Sequence, residues 1–127
     1  MRSLAFSLLL FLGLCQDETL TGYGAEGQLF VLQAINGERY PARATISFPS
    51  EGKIVGMAPC NSYSASQDLP YPWFKAGPIL ATKRACQALD LEYAFFKALA
   101  GMTLSEVSGP NLILSTAEGD LMEFLAE

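Results

Sequence analysis

Three cysteines and no histidine among 127 residues set the chemistry open to this chain. Without imidazole there is no Ser-His-Asp or Cys-His nucleophile pair, no His-ligated zinc and no acid/base group of ordinary pKa near neutrality. A thiol would then need another cation to ionise, and Lys83 and Arg84, close to Cys86, are the candidates. The competing reading, which we prefer, is a bonded Cys86 with solvated basic neighbours. Two thiolates alone cannot fill a four-ligand metal site. The 13 Asp and Glu could in principle include a glycosidase pair, but Glu51, Glu118 and Asp120 fall in turn signals and no strand-end pair stands out. Gly22 and Gly24 do not form a strand-to-helix phosphate loop. No catalytic residue, metal ligand set or cofactor is expected, and the chain is read as a non-enzyme. Eight Lys and Arg against 13 Asp and Glu give a net charge of -5, which repels a phosphate backbone and argues against nucleic acid.

The N-terminus reads as an address. After Met1-Arg2, the stretch Leu4 to Leu14 (LAFSLLLFLGL) carries no charge. As a helix it would be roughly 16 Å long, about half a bilayer core, which suits a signal peptide over residues 1–15 and not a membrane span. Leu12-Gly13-Leu14-Cys15 resembles a bacterial lipobox, whose Cys is lipidated, although Leu14 stands where a small residue is preferred. The alternative is ordinary cleavage after Cys15, with Gly13 and Cys15 as the small recognition residues. Residues 16–27 are polar and Gly-containing, as in a flexible tether. Gln16 is not the Asp of an inner-membrane retention signal, so the expected place is the periplasm, anchored to the outer membrane. On either route Cys60 and Cys86 remain as one pair. In an exported protein an even count reads as a disulfide, with two separate buried thiols as the alternative. Closing that loop would stabilise by roughly 3–4 kcal/mol.

Residues 28–127 must position these groups in one domain. Gln28 to Ile35 is a strand candidate ending at Asn36-Gly37, a two-residue hairpin signal. Ala44 to Phe48, Ile54 to Ala58, Cys60 to Ser66 and Ile79-Leu80 follow. From Leu89 the period changes: Leu91, Phe95 and Leu99 recur at helical spacing, Asp90 can cap the start and Gly101 the end. Met102 to Val107, Leu112 to Ser115 and Leu121 to Leu125 are further strands. The expected fold is mainly β, a curled antiparallel sheet or small barrel of about 7–8 short strands plugged by one helix.

At this point the residues resemble the META/HslJ domain family of small exported bacterial proteins. The likeness rests on Gly56, Cys60-Asn61-Ser62-Tyr63 and Thr82-Lys83-Arg84-Ala85-Cys86, followed by Glu92 to Leu99, and spans roughly Leu29 to Phe124. Phe30 stands for an early Trp, Pro59 for a Gly before Cys-Asn, and Ala65 for a Gly after the aromatic. The resemblance implies a barrel-type domain, with members linked to heat-shock induction, novobiocin tolerance or virulence-associated secretion, and supplies no catalytic residues. Asn61 is expected to bond backbone groups at a turn.

One stretch lies outside these motifs. In Leu69-Pro70-Tyr71-Pro72-Trp73-Phe74, prolines restrict the backbone and Tyr71, Trp73 and Phe74 could form a recognition surface, or else begin a core strand. The expected function is a monomeric envelope (lipo)protein that contributes to stress tolerance by contacting another envelope protein, with the membrane reached through lipidated Cys15. The alternatives are an inhibitor of a periplasmic hydrolase, presenting the loop Gln67 to Pro72, and a carrier of small apolar ligands. Phe95, Phe96 and Leu99 are expected to fill the interior such a carrier would need.

Overall fold

The structure is a computed structural model that describes residues 17–127. The expected signal peptide over residues 1–15 and the lipidation candidate Cys15 lie outside the described residues. Strands β1 (Leu29–Ile35), β2 (Glu38–Arg39), β3 (Thr45–Ser47), β4 (Lys53–Met57), β5 (Ser62–Ser66) and β6 (Leu80–Ala81) precede the helix α1 (Leu89–Gly101). Strands β7 (Leu104–Ser108), β8 (Asn111–Ser115) and β9 (Leu121–Ala126) follow it. All nine strands join one sheet in the order β6-β5-β4-β3-β1-β9-β8-β7, with β2 paired to β1, and every strand pairing is antiparallel. Among the described residues the fold is mainly β with one α-helix, as expected, and the two-residue strand β2 raises the count to nine.

Local chemistry explains most of the hairpins. Asn36 (φ 52°) and Gly37 (φ 80°) both adopt the left-handed conformation, which a tight hairpin turn demands and which Asn and Gly tolerate best. In β1, Phe30 and Leu32 face inward and are buried while Leu29 and Gln33 are exposed. A register shift between Leu32 and Ala34 then bends the strand around the core. On β8 and β9 the inward residues are Leu112, Leu114, Met122 and Phe124, all essentially inaccessible.

The hydrogen-bonded ladder is a curled sheet and not a closed barrel, since β6 and β7 are its two ends. An irregular segment spans the gap. Pro72 and Phe74 bond to the β7 side (Ser105 N–H to Pro72 O, 2.7 Å; Phe74 N–H to Thr103 O, 2.9 Å), and Gly77 N–H reaches Ser66 O at the end of β5 (2.8 Å). Helix α1 plugs the interior through Phe95 and Leu99, both fully buried. Phe95 packs against Tyr40 and Tyr63, with ring centroids 6.4 and 5.5 Å away.

Three expectations need correction. Asp90 is not the helix cap: α1 starts one residue before it, Ala88 occupies the cap position without a side-chain bond, and Asp90 sits in the first turn. Gly101 is the last helical residue, and the cap is Met102 in extended conformation, its N–H on Leu99 O. Residues 17–27 are no loose tether. Leu20–Tyr23 forms a 3-10 turn, Leu20, Thr21 and Ala25 are buried, Thr21 Oγ1 bonds Ser50 O, and Tyr71 N–H bonds Glu18 O at 2.8 Å. Two apolar anchors in a polar stretch were enough to dock it.

Candidate functional site

The turn between β4 and β5 (Ala58 N–H to Asn61 O, 2.8 Å) brings Cys60 and Asn61 under the start of α1. There Glu92, on the buried face of the helix and only 2% exposed, points its carboxylate at the turn. Its Oε1 accepts the backbone N–H groups of Cys60 (2.9 Å) and Asn61 (2.8 Å), and its Oε2 accepts Asn61 Nδ2 (2.6 Å). Asn61 Nδ2 also donates to Arg84 O (3.0 Å), while Asn61 Oδ1 accepts Thr82 Oγ1 (2.9 Å) and Arg84 N–H (2.6 Å). The amide thereby uses two donors and two acceptor positions, its full capacity. Asn61 does bond backbone groups, as expected, but those of a distant segment, which makes it a clasp between three chain pieces.

The disulfide closes over this clasp. Cys60 and Cys86 are bonded, with a Cα–Cα distance of 5.6 Å across 26 residues of sequence. The sulfur of Cys86 is therefore no nucleophile, and Lys83 and Arg84 are exposed beside it.

Tyr63 and Gly56 form the adjoining layer. They face each other across β4 and β5. A Cβ on Gly56 would stand 2.2 Å from Thr45 O and 2.7 Å from the Tyr63 ring. Only glycine lets Tyr63 cross over β4 and donate its hydroxyl to Thr45 O at 2.7 Å. Thr45 Oγ1 in turn accepts Met57 N–H (3.0 Å). The Tyr63 ring meets Phe95 and Phe96 edge-on, and burial raises its pKa. Tyr40 donates its hydroxyl to Leu91 O (2.7 Å); burial, then the nearby Glu92 charge, pushes its pKa up to about 12.

The sequence motif Gly56, Cys60, Asn61, Tyr63, Thr82 and Cys86 thus converges at one end of the domain, and Glu92, Tyr40 and Thr45 complete it. Glu92 was quoted in the sequence pattern without a role. Its position, three residues before Phe95 and seven before Leu99, already put it on the inward helix face. Among the described residues no buried side-chain nitrogen or oxygen lacks a partner, and no group of three or more His, Cys, Asp or Glu could hold a metal.

The aromatic stretch lies elsewhere and divides. Phe74 is 1% exposed and belongs to the core, so it is no binding-surface residue. Trp73 is 56% exposed. Tyr71 is half-buried, stacked on Tyr23 with ring centroids 4.5 Å apart and planes within 13°, and Val107 N–H points at its hydroxyl (3.2 Å). Buried Gln67 pins the loop: its Oε1 accepts Leu69 N–H (3.0 Å) and Lys75 N–H (3.2 Å), and its Nε2 donates to Leu69 O (3.1 Å).

A sequence model of the META domain matches residues 20–127. The chain belongs to the META domain family. Two solved structures share the fold of this META domain. One, an NMR structure of a protein from Burkholderia xenovorans, is 21% identical and has a TM-score of 0.65, covering 84% of this chain and 86% of the other. A second NMR structure is 24% identical with a TM-score of 0.61, over 81% and 92% of the two chains. A search of curated proteins finds no match. The matched region begins at Leu20, the first buried leucine of the described residues, so the docked N-terminal turn is part of the META domain. No helix among the described residues is long and apolar enough to cross a membrane.

Proposed function

We propose that this META domain protein is a non-enzymatic envelope protein, exported and held at the membrane through Cys15, that contributes to envelope stress tolerance by contacting other proteins. The observation that carries this reading is the Cys60–Cys86 disulfide closed over the saturated Asn61–Glu92 clasp. A disulfide of this kind suits an oxidising compartment. The polar groups of the motif satisfy one another inside the domain, which is what a rigid scaffold needs and leaves them no reach toward a substrate. Faces for contact exist: a cleft beside α1 is lined by Ile79, Ala81, Tyr93 and Phe96 with Lys83 and Arg84 among its residues.

Fractionation of producing cells, with intact mass of the exported chain, tests the address: a diacylglycerol adduct on Cys15 is expected, and a cytosolic chain or a free Gln16 N-terminus removes the anchor. Cross-linked envelopes then identify the contact, with a protein partner recovered in a fixed ratio. A hydrolase as that partner would favour the second reading, a periplasmic inhibitor. That reading has its own support in the Gln67-pinned loop, since a preformed loop loses little freedom on binding. The carrier reading has less behind it, because Phe95, Leu99, Phe30 and Phe124 crowd the interior.

A further inference from the structure

The exposed apolar side chains of the gap-spanning region are not scattered. Tyr23 (53% exposed) stacks on Tyr71, and Leu69 (40%) and Trp73 (56%) flank Tyr71 two residues away on either side in sequence. Of these four only Tyr71 also packs against the core, which Phe74 serves from the same segment. The chain's N-terminal side enters the domain at this spot, because Glu18 O accepts the Tyr71 N–H at 2.8 Å. Cys15 is three residues from Glu18, so an extended chain can put at most about 11 Å between them. An anchor on Cys15 would therefore hold this cluster close to the headgroup layer.

We propose that Tyr23, Leu69, Tyr71 and Trp73 form a pad that rests in the interfacial layer of the bilayer carrying the Cys15 anchor, fixing how the domain stands on the membrane. Tyr and Trp favour that layer because their rings bury in it while a polar edge stays wet. Glu18, Asp68 and Glu106 are exposed in or next to these segments, and the chain carries a net charge of -5. Adsorption without the anchor is therefore weak, and the tether supplies the local concentration that the pad lacks. The proposal rests on the anchored reading of Cys15, but the pad can be tested without it.

Trp73 is the lone tryptophan and so reports on the pad directly. In the mature chain beginning at Cys15, with Cys60 and Cys86 bonded, Cys15 is the one free thiol and couples to a maleimide phospholipid in neutral phosphatidylcholine vesicles. With bromine on the acyl chains near the headgroup, Trp73 emission is expected to shift to shorter wavelength, lose intensity to the bromine and become shielded from acrylamide. Uncoupled protein mixed with the same vesicles shows none of this. Tyr23→Asp with Leu69→Asp, both at exposed positions, should restore acrylamide access in the coupled protein. Coupled protein whose Trp73 stays unquenched by bromine and open to acrylamide overturns the pad, whatever the mass of the natural N-terminus proves to be. A photo-cross-linker at position 73 that captures one protein in a fixed ratio in intact envelopes overturns it in favour of a protein partner.

Discussion

The two ends of this domain handle polar and aromatic groups in opposite ways. At the clasp, Asn61 and Glu92 are buried and each acts on backbone groups from another part of the chain. At the Leu69–Trp73 loop, order comes from one buried glutamine and from backbone bonds to β7 and to Glu18, while Leu69 and Trp73 stay outward and Tyr71 is half-buried. Rigidity is common to both. What differs is where the side chains point, into the interior at one end and toward solvent at the other. Substitutions should separate the two ends by their effect on folding.

The largest loss belongs to Glu92→Ala. It strands the N–H groups of Cys60 and Asn61 and one amide proton of Asn61, and about 4 kcal/mol of stability should go, read as a lowered urea midpoint. Cys86→Ser, or reduction of the disulfide, should cost about 3 kcal/mol by releasing the closed loop in the unfolded chain; an unchanged midpoint after reduction would mean the clasp alone holds this end. Gly56→Ala should cost about 2 kcal/mol, since Thr45 O and the Tyr63 ring must both move. Loss of the Tyr63–Thr45 hydrogen bond should show in the tyrosine fluorescence of that variant. Alkaline pH acts at the same end. Tyr40 has its pKa raised in the folded state from 10.0 to about 12, so the stability it confers is complete below pH 10 and drains away as pH climbs toward 12. Urea midpoints across that window should fall in the native protein and fall less in Tyr40→Phe. Trp73→Ala, at the other end, should move the midpoint by no more than about 0.5 kcal/mol, and a larger loss would place Trp73 with the core.

Turn chemistry and alternation made most of the sheet legible. Asn36-Gly37 marked its hairpin, and the apolar runs in β1, β4 and β9 matched their observed bounds to within a residue or two. β2 was hidden because Glu38 and Arg39 carry no pattern of their own and are held by the register that the turn imposes. The 72–77 segment was ambiguous for a physical reason: its alternation places Phe74 in the core and Trp73 outside, so both readings of the stretch describe one residue correctly. The candidate site was legible in its cysteines and in Asn61. Glu92 was missed because a carboxylate on an apolar helix face is read as solvated unless its partners are known, and those partners are backbone groups about 30 residues away. The docked N-terminal turn escaped notice because its Gly and Thr content masks Leu20 and Ala25.

The last strand along the described residues, β9, sits inside the sheet between β1 and β8. A nascent polypeptide therefore holds β1 without that neighbour until Leu121–Ala126 has emerged. Emergence of those six residues becomes the event that permits the interior to seal, and their deletion would open a seam inside the sheet and not fray an edge.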